Sequence, residues 1–197
     1  MKELKVVSNC SCGCEEESVK KEETIKKQDE SCCGSDCNCG DEQQLSKDEV
    51  VIDFLYLDLS QCERCQGADN NLEKAIKDVE NVLKAAGKEV VLNKINITSE
   101  KLAEKYRFVS SPTIRVNGID ILDEVTEDNC ESCGDLCGDE VDCRTWSYKG
   151  SKYTEPPKEL IVESVLERVY GDKKNEISEK AYVMPENLKK FFDGLKK

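Results

Sequence analysis

Thirteen cysteines fall in three groups along this chain, and their distribution decides which parts of it can fold by burying apolar surface. Seven lie in the first 49 residues, two form the pair Cys62 and Cys65, and four lie between Cys130 and Cys143. Apart from its cysteines, the first segment offers only scattered aliphatics (Leu4, Val6, Val7, Val19, Ile25, Leu45) among many charges. That is too little burial to offset the entropy of ordering a chain. Residues 1–49 are therefore expected to be a disordered arm unless something binds their thiols. The chain has no histidine in 197 residues. This excludes Ser-His-Asp and Cys-His catalysis, HExxH zinc proteases and His-ligated haem. Thiols, carboxylates, a few hydroxyls or a bound metal must carry the chemistry.

Charge removes further classes. Twenty-nine basic residues against 42 acidic ones leave −13, the wrong sign for gripping nucleic acid or an anionic membrane surface. No run of 18 apolar residues is present to span a membrane, and Met1 to Cys14 lacks the apolar region of a secretory signal. The expected location is cytoplasmic, where thiols stay reduced. There, abundant cysteine points to metal binding or redox chemistry and away from a disulfide framework.

Residues 50–171 carry the periodicities of a folded domain. Val50 to Leu59 is nearly continuous in apolar residues, interrupted at Asp53 and Asp58, as in a strand buried on both faces. Leu72, Ala75, Ile76, Val79, Val82, Leu83 and Ala86 form the stripe of an amphipathic helix that Gly87 ends. Val90 to Ile97 reads as a second strand, and Ser99 caps a short helix running to Arg107. Thr113–Val116 and Ile119–Leu122 are short strands joined at Asn117-Gly118, a hairpin signal. The order β-α-β-α-β-β predicts an α/β fold, a mixed sheet with flanking helices.

Residues 123–157 interrupt this unit. Asp123 to Cys143 contains nine acidic residues, no basic ones and four cysteines. Pro156-Pro157 closes the insertion, and Leu160, Ile161, Val165 and Val169 mark a returning helix that ends at Gly171. Residues 172–197 form a polar extension with one short helix from Pro185 to Leu195, and no chemistry is assigned to it.

The Cys62-Glu63-Arg64-Cys65 motif lies between the first strand and the long helix. A helix N-terminus favours thiolate over thiol, Arg64 adds a cation, and two intervening residues let the sulfurs form a disulfide or share a metal. Together with the segment Leu102 to Gly118, which contains Ser111-Pro112-Thr113, it resembles thioredoxins and glutaredoxin-like proteins. With the acidic four-cysteine insertion, the chain looks most like an uncharacterised group of prokaryotic thioredoxin-like proteins. The resemblance implies a thioredoxin-like sheet, with a cis Pro112 that faces the pair, positions substrate backbone and keeps metal away. It also makes Cys62 the attacking thiolate and Cys65 the resolving thiol, with no cofactor needed for thiol exchange. Two departures stand out: Gln61 replaces the family's tryptophan, and Asp53-Phe54 lies nine residues before Cys62. Asp58 is the alternative to Asp53 as proton shuttle.

The remaining cysteines read as ligands. Cys130, Cys133, Cys137 and Cys143 have the numbers for a zinc site or an iron–sulfur cluster; two internal disulfides, or free thiols in an acidic loop, are the plainer alternatives. The arm's Cys10, Cys12, Cys14, Cys32, Cys33, Cys37 and Cys39 combine spacings that let several thiolates converge on one thiophilic metal or metalloid. Two functions follow. One is a cytoplasmic thiol–disulfide oxidoreductase acting on a disulfide-bearing protein or a small-thiol redox partner. The other is a chaperone or sequestration protein for a soft metal or metalloid ion, without turnover.

Overall fold

The structure, a computed structural model, describes residues 48–138, 140–171 and 181–196. The arm cysteines from Cys10 to Cys39, and the expectation of disorder for the arm that carries them, lie outside the described residues. So does segment 172–180.

The predicted mixed sheet is present. Strands β1 (Glu49–Tyr56), β2 (Glu89–Asn96), β3 (Thr113–Val116) and β4 (Ile119–Asp120) stand in the order β2-β1-β3-β4. β1 runs parallel to β2 and antiparallel to β3, and β4 returns antiparallel beside β3. The parallel pair requires a crossover, which α1 (Glu63–Ala85) supplies. α2 (Glu100–Lys105) starts at Ser99, whose side chain accepts a hydrogen bond from the Leu102 N–H. Asn117 and Gly118 both have positive φ at the β3–β4 turn, the conformation that this dipeptide tolerates best.

α1 begins nine residues before Leu72, where the apolar stripe starts in the sequence. Its first turns bury Cys65 and Ala68, which continue the line through Leu72, Ala75, Val79 and Leu83. Here a cysteine takes an apolar position, as buried thiols readily do. The stripe packs with Val50, Ile52 and Phe54 of β1. α4 (Lys158–Tyr170) adds Leu160, Ile161 and Val165 to the same cluster. Fully burying one such aliphatic stabilises by about 1.5–3 kcal/mol, so this face alone supplies much of the fold's driving force.

The insertion builds structure of its own. β5 (Thr126–Asn129), β6 (Asp142–Tyr148) and β7 (Ser151–Tyr153) form a second, antiparallel sheet, and α3 (Glu131–Cys137) lies between β5 and β6. Arg144 ties this sheet to the main one. It is fully buried, makes two 2.7 Å bonds to the Asp120 carboxylate and donates to Thr113 Oγ1 at 3.1 Å. Its guanidinium also lies over the buried Trp146 ring. Its backbone N–H donates to the Ser111 carbonyl at 2.7 Å. α5 (Glu186–Gly194) closes a second apolar cluster with Leu188, Phe191 and Phe192. That cluster contains Leu55, Leu57, Phe108 and all six described cysteines. Among the described residues no helix is long and apolar enough to cross a membrane.

Candidate metal centre

Three pieces of backbone bring four sulfurs to one point. Cys62 is the N-cap of α1, Cys130 is the N-cap of α3, Cys133 follows in α3, and Cys143 lies on β6. The β5–β6 register opposes Asp128 to Cys143, and the Cys130 N–H donates to the Val141 carbonyl at 2.9 Å. These contacts fold the Cys130–Cys143 loop back on itself over the start of α1.

The sulfurs of Cys62, Cys130, Cys133 and Cys143 all lie within 4.8 Å of one another, and all four residues are buried. Cys133 Sγ is 3.7 Å from Cys62 Sγ, and Cys143 Sγ is 3.2 Å from Cys133 Sγ. Zinc–thiolate bonds of about 2.3 Å in a tetrahedron set sulfurs about 3.8 Å apart, so the cluster has the dimensions of a site for one ion. An iron–sulfur cluster interposes several irons and inorganic sulfides between its ligands, and the four thiols stand too close together for that.

Without an ion the cluster shares few negative charges among many thiols. Hydrogen bonds from Cys130, Cys133, Cys143 and Cys65, in that order of size, hold Cys62 far below the usual thiol range against the opposing effect of burial. Cys130 is lowered to about 7 by hydrogen bonds from Cys133 and Cys143. Cys133 and Cys143 are raised, first through their hydrogen bonds to Cys130. They serve as donors to the thiolates and keep their protons.

Cys65 stands beside this group and is not one of the four. Its thiol is within hydrogen-bond reach of Cys62, and that contact, followed by burial, raises it. On its other side it lies 3.3 Å from Ser111 Oγ, which also accepts the Leu57 N–H at 3.1 Å. The Ser111–Pro112 bond is cis. Cys137, grouped by spacing with the other insertion cysteines, is apart from the four. It ends α3, with its thiol 3.8 Å from the Gly134 carbonyl and its backbone against Gly194.

Arg64 is the cation nearest in sequence to the pair, and its guanidinium is used structurally. It donates to the carbonyls of Asp128, Asn129 and Cys143, bracketing Cys130 and gripping Cys143 itself. Sequence reasoning assigned it only an effect on thiol ionisation. Arg144 and Asp120, which dock the insertion, went unassigned; the one available signal was Arg144 as the first basic residue after the acidic stretch.

Residues 50–165 match the family model described as Domain of unknown function (DUF2703), and the chain belongs to that family. No curated protein and no solved structure matches the chain.

Proposed function

We propose that this protein binds one soft divalent metal ion, zinc or a similarly thiophilic ion, on the thiolates of Cys62, Cys130, Cys133 and Cys143. The carrying observation is the convergence of four buried sulfurs within 4.8 Å. A donor set of sulfur alone selects thiophilic ions over calcium or magnesium, which take oxygen ligands. The ion neutralises charge that burial otherwise penalises, and by joining α1 to the insertion it stabilises the fold. The cytoplasm, with its reduced thiols, is the compartment that suits such a site.

The likeness to thioredoxins has support of its own. A parallel β1–β2 pair, an antiparallel β3–β4 hairpin, a Cys-x-x-Cys pair at a helix start and a cis proline after Ser111 are the elements on which it rests. Two observations weigh against a thioredoxin's activity on protein disulfides. Cys62 has no exposed surface. The Ser111 carbonyl, beside the position where the resemblance seats a substrate backbone, already accepts the Arg144 N–H of the chain's own β6.

The test is native mass spectrometry of the full chain, purified anaerobically with reductant and loaded with zinc. The arm's thiols bind ions too, so the readout is the difference between variants: Cys62→Ser and Cys143→Ser should each lower the bound zinc by one. Cobalt substitution should give intense thiolate-to-metal absorption that both variants lose. A Cys62→Ser protein with unchanged stoichiometry and unchanged cobalt spectrum refutes the reading.

A further inference from the structure

Cys62 belongs to two groupings at once, and its sulfur cannot serve both. It is one of the four converging sulfurs, and as the N-cap of α1 it stands three residues before Cys65, a fifth buried thiol in the first turn that lies 3.3 Å from Ser111 Oγ. A disulfide sulfur carries no thiolate charge and is a poor ligand. We propose that Cys65 is the release residue of the site: oxidation joins Cys62 to Cys65, removes one of the four ligands and lets the ion go. The inference rests on the metal-site reading above.

The oxidant must be small, because Cys62 and Cys65 are both fully buried. Hydrogen peroxide meets that condition. A cavity of about 190 Å³ lined by Gln61, Ser132, Asp135 and Leu136 opens at the neighbours of Cys62 and Cys133 in the chain. The Cys62 thiolate attacks one peroxide oxygen, the O–O bond breaks, and the departing hydroxide takes a proton to become water. Cys62 is then a sulfenic acid. The Cys65 sulfur attacks it, the S–S bond forms as the S–O bond breaks, and the Cys65 proton leaves with the second water. One thiolate, one thiol, one peroxide and one proton from solvent give one disulfide and two waters, the two electrons coming from the two sulfurs. A dithiol reductant reverses the step by exchange, and the four-thiolate site re-forms.

In the closed cluster Cys133 and Cys143 have the closer sulfurs, 3.2 Å apart, and it is placement in the chain that favours Cys62 with Cys65. Cys62 and Cys65 share the first turn of α1, so they stay adjacent when the ion leaves and the insertion relaxes. Cys130, Cys133 and Cys143 belong to the insertion, held to the main sheet through Arg144 and to α1 through Arg64.

The experiment uses the full-length chain with its seven arm cysteines replaced by serine, loaded with zinc and treated with hydrogen peroxide in the presence of a zinc-sensitive dye. The expected result is stoichiometric zinc release, reversed by dithiol, with a two-hydrogen mass loss mapping to Cys62–Cys65. Cys65→Ser, which keeps all four ligands, should bind zinc normally under reductant and release it at least tenfold more slowly. Zinc bound normally but released from Cys65→Ser at the unsubstituted rate overturns the proposal alone, as does a disulfide mapping within Cys130, Cys133 and Cys143. Failure of the unsubstituted-site protein to bind zinc under reductant overturns the metal-site reading and this proposal with it.

Discussion

Replacing Arg64 by alanine tests how the site is held together without touching a sulfur. The guanidinium spans from α1 to the insertion, donating to the carbonyls of Asp128, Asn129 and Cys143. Charge-assisted hydrogen bonds contribute about 1.5–3 kcal/mol each when buried. Two of these three are exposed and the third half-buried, so the surface scale applies to most of the sum. A total near 1.5–2 kcal/mol is then reasonable. Because these bonds hold the closed position of Cys130 and Cys143 against Cys62, their loss falls on ion affinity. At 1.4 kcal/mol per decade, Arg64→Ala should weaken zinc binding roughly 10- to 30-fold. Arg64→Lys should recover only part of this, since an ammonium cannot reproduce a planar fork over three carbonyls. The assay is competition against a chromophoric chelator, on full-length protein with the arm cysteines replaced. Urea unfolding of the metal-free protein checks that the effect is not general, because the buried Arg144 still docks the insertion. An affinity within twofold of the parent would show that the four cysteines are arranged without the clamp, and the reasoning would fail.

Cys137→Ser should leave zinc affinity within about twofold, whereas Cys143→Ser should weaken it at least about a hundredfold; chelator competition separates a site built by proximity in the chain from the one built by the fold. Proton release gives a second check. Four thiolates are needed; Cys62 and Cys130, lowered far below its usual range and to about 7 respectively, are ionised at pH 8, while Cys133 and Cys143 are raised and still protonated. Zinc binding at pH 8 should therefore release two protons (four minus two), rising toward three as pH falls below 7 and Cys130 is protonated. Calorimetry in buffers of different ionisation enthalpy measures this. The Cys130 thiol is lowered from 9.0 to about 7 on folding, so its contribution to apo stability is complete above about pH 9 and lost as pH falls through about 7. Asp120→Ala should cost about 3 kcal/mol in urea unfolding, because it leaves a fully buried guanidinium with only the Thr113 hydroxyl and the Trp146 ring against it; Asp120 is itself partly exposed, and a loss below about 1 kcal/mol would mean water reaches Arg144.

The parts of the fold that the sequence made legible are those whose apolar residues repeat with a period. β1, β2, α2, the β3–β4 hairpin, α4 and α5 stand within a few residues of their predicted positions. The early start of α1 was hidden because Cys65 and Ala68 do not read as core until something is seen to pack on them. The insertion was opaque for a different reason. All four residues of β5 are exposed and polar, and α3 is too short for a stripe. Its order comes from non-local terms: an ion pair between Arg144 and Asp120, a Trp146 under that guanidinium, and cysteines buried against α5. The site failed to appear in the sequence for the same reason. Spacing groups Cys137 with its neighbours in the chain, while the sulfur that completes the set, Cys62, stands 71 positions before Cys133.

That separation gives the metal-site reading its physical force. Four ligands from one short loop can close around an ion whether or not a domain is folded, and such a site reports little about the rest of the chain. Here one sulfur caps the helix that crosses between β1 and β2, and three belong to an insertion docked through Arg144 on Asp120 and the Ser111 carbonyl. On the proposed reading metal affinity and folding are coupled, so zinc should raise the urea midpoint of the full chain, and a midpoint that zinc leaves unchanged would contradict that reading. Under the two proposals, ligation of an ion and disulfide formation with Cys65 are alternative states of the Cys62 sulfur, because a sulfur bonded to Cys65 has no thiolate to offer. The insertion cysteines that would share the ion are also the first causes holding Cys62 low, so the site and the ionisation of its α1 ligand stand or fall with the docking of the insertion.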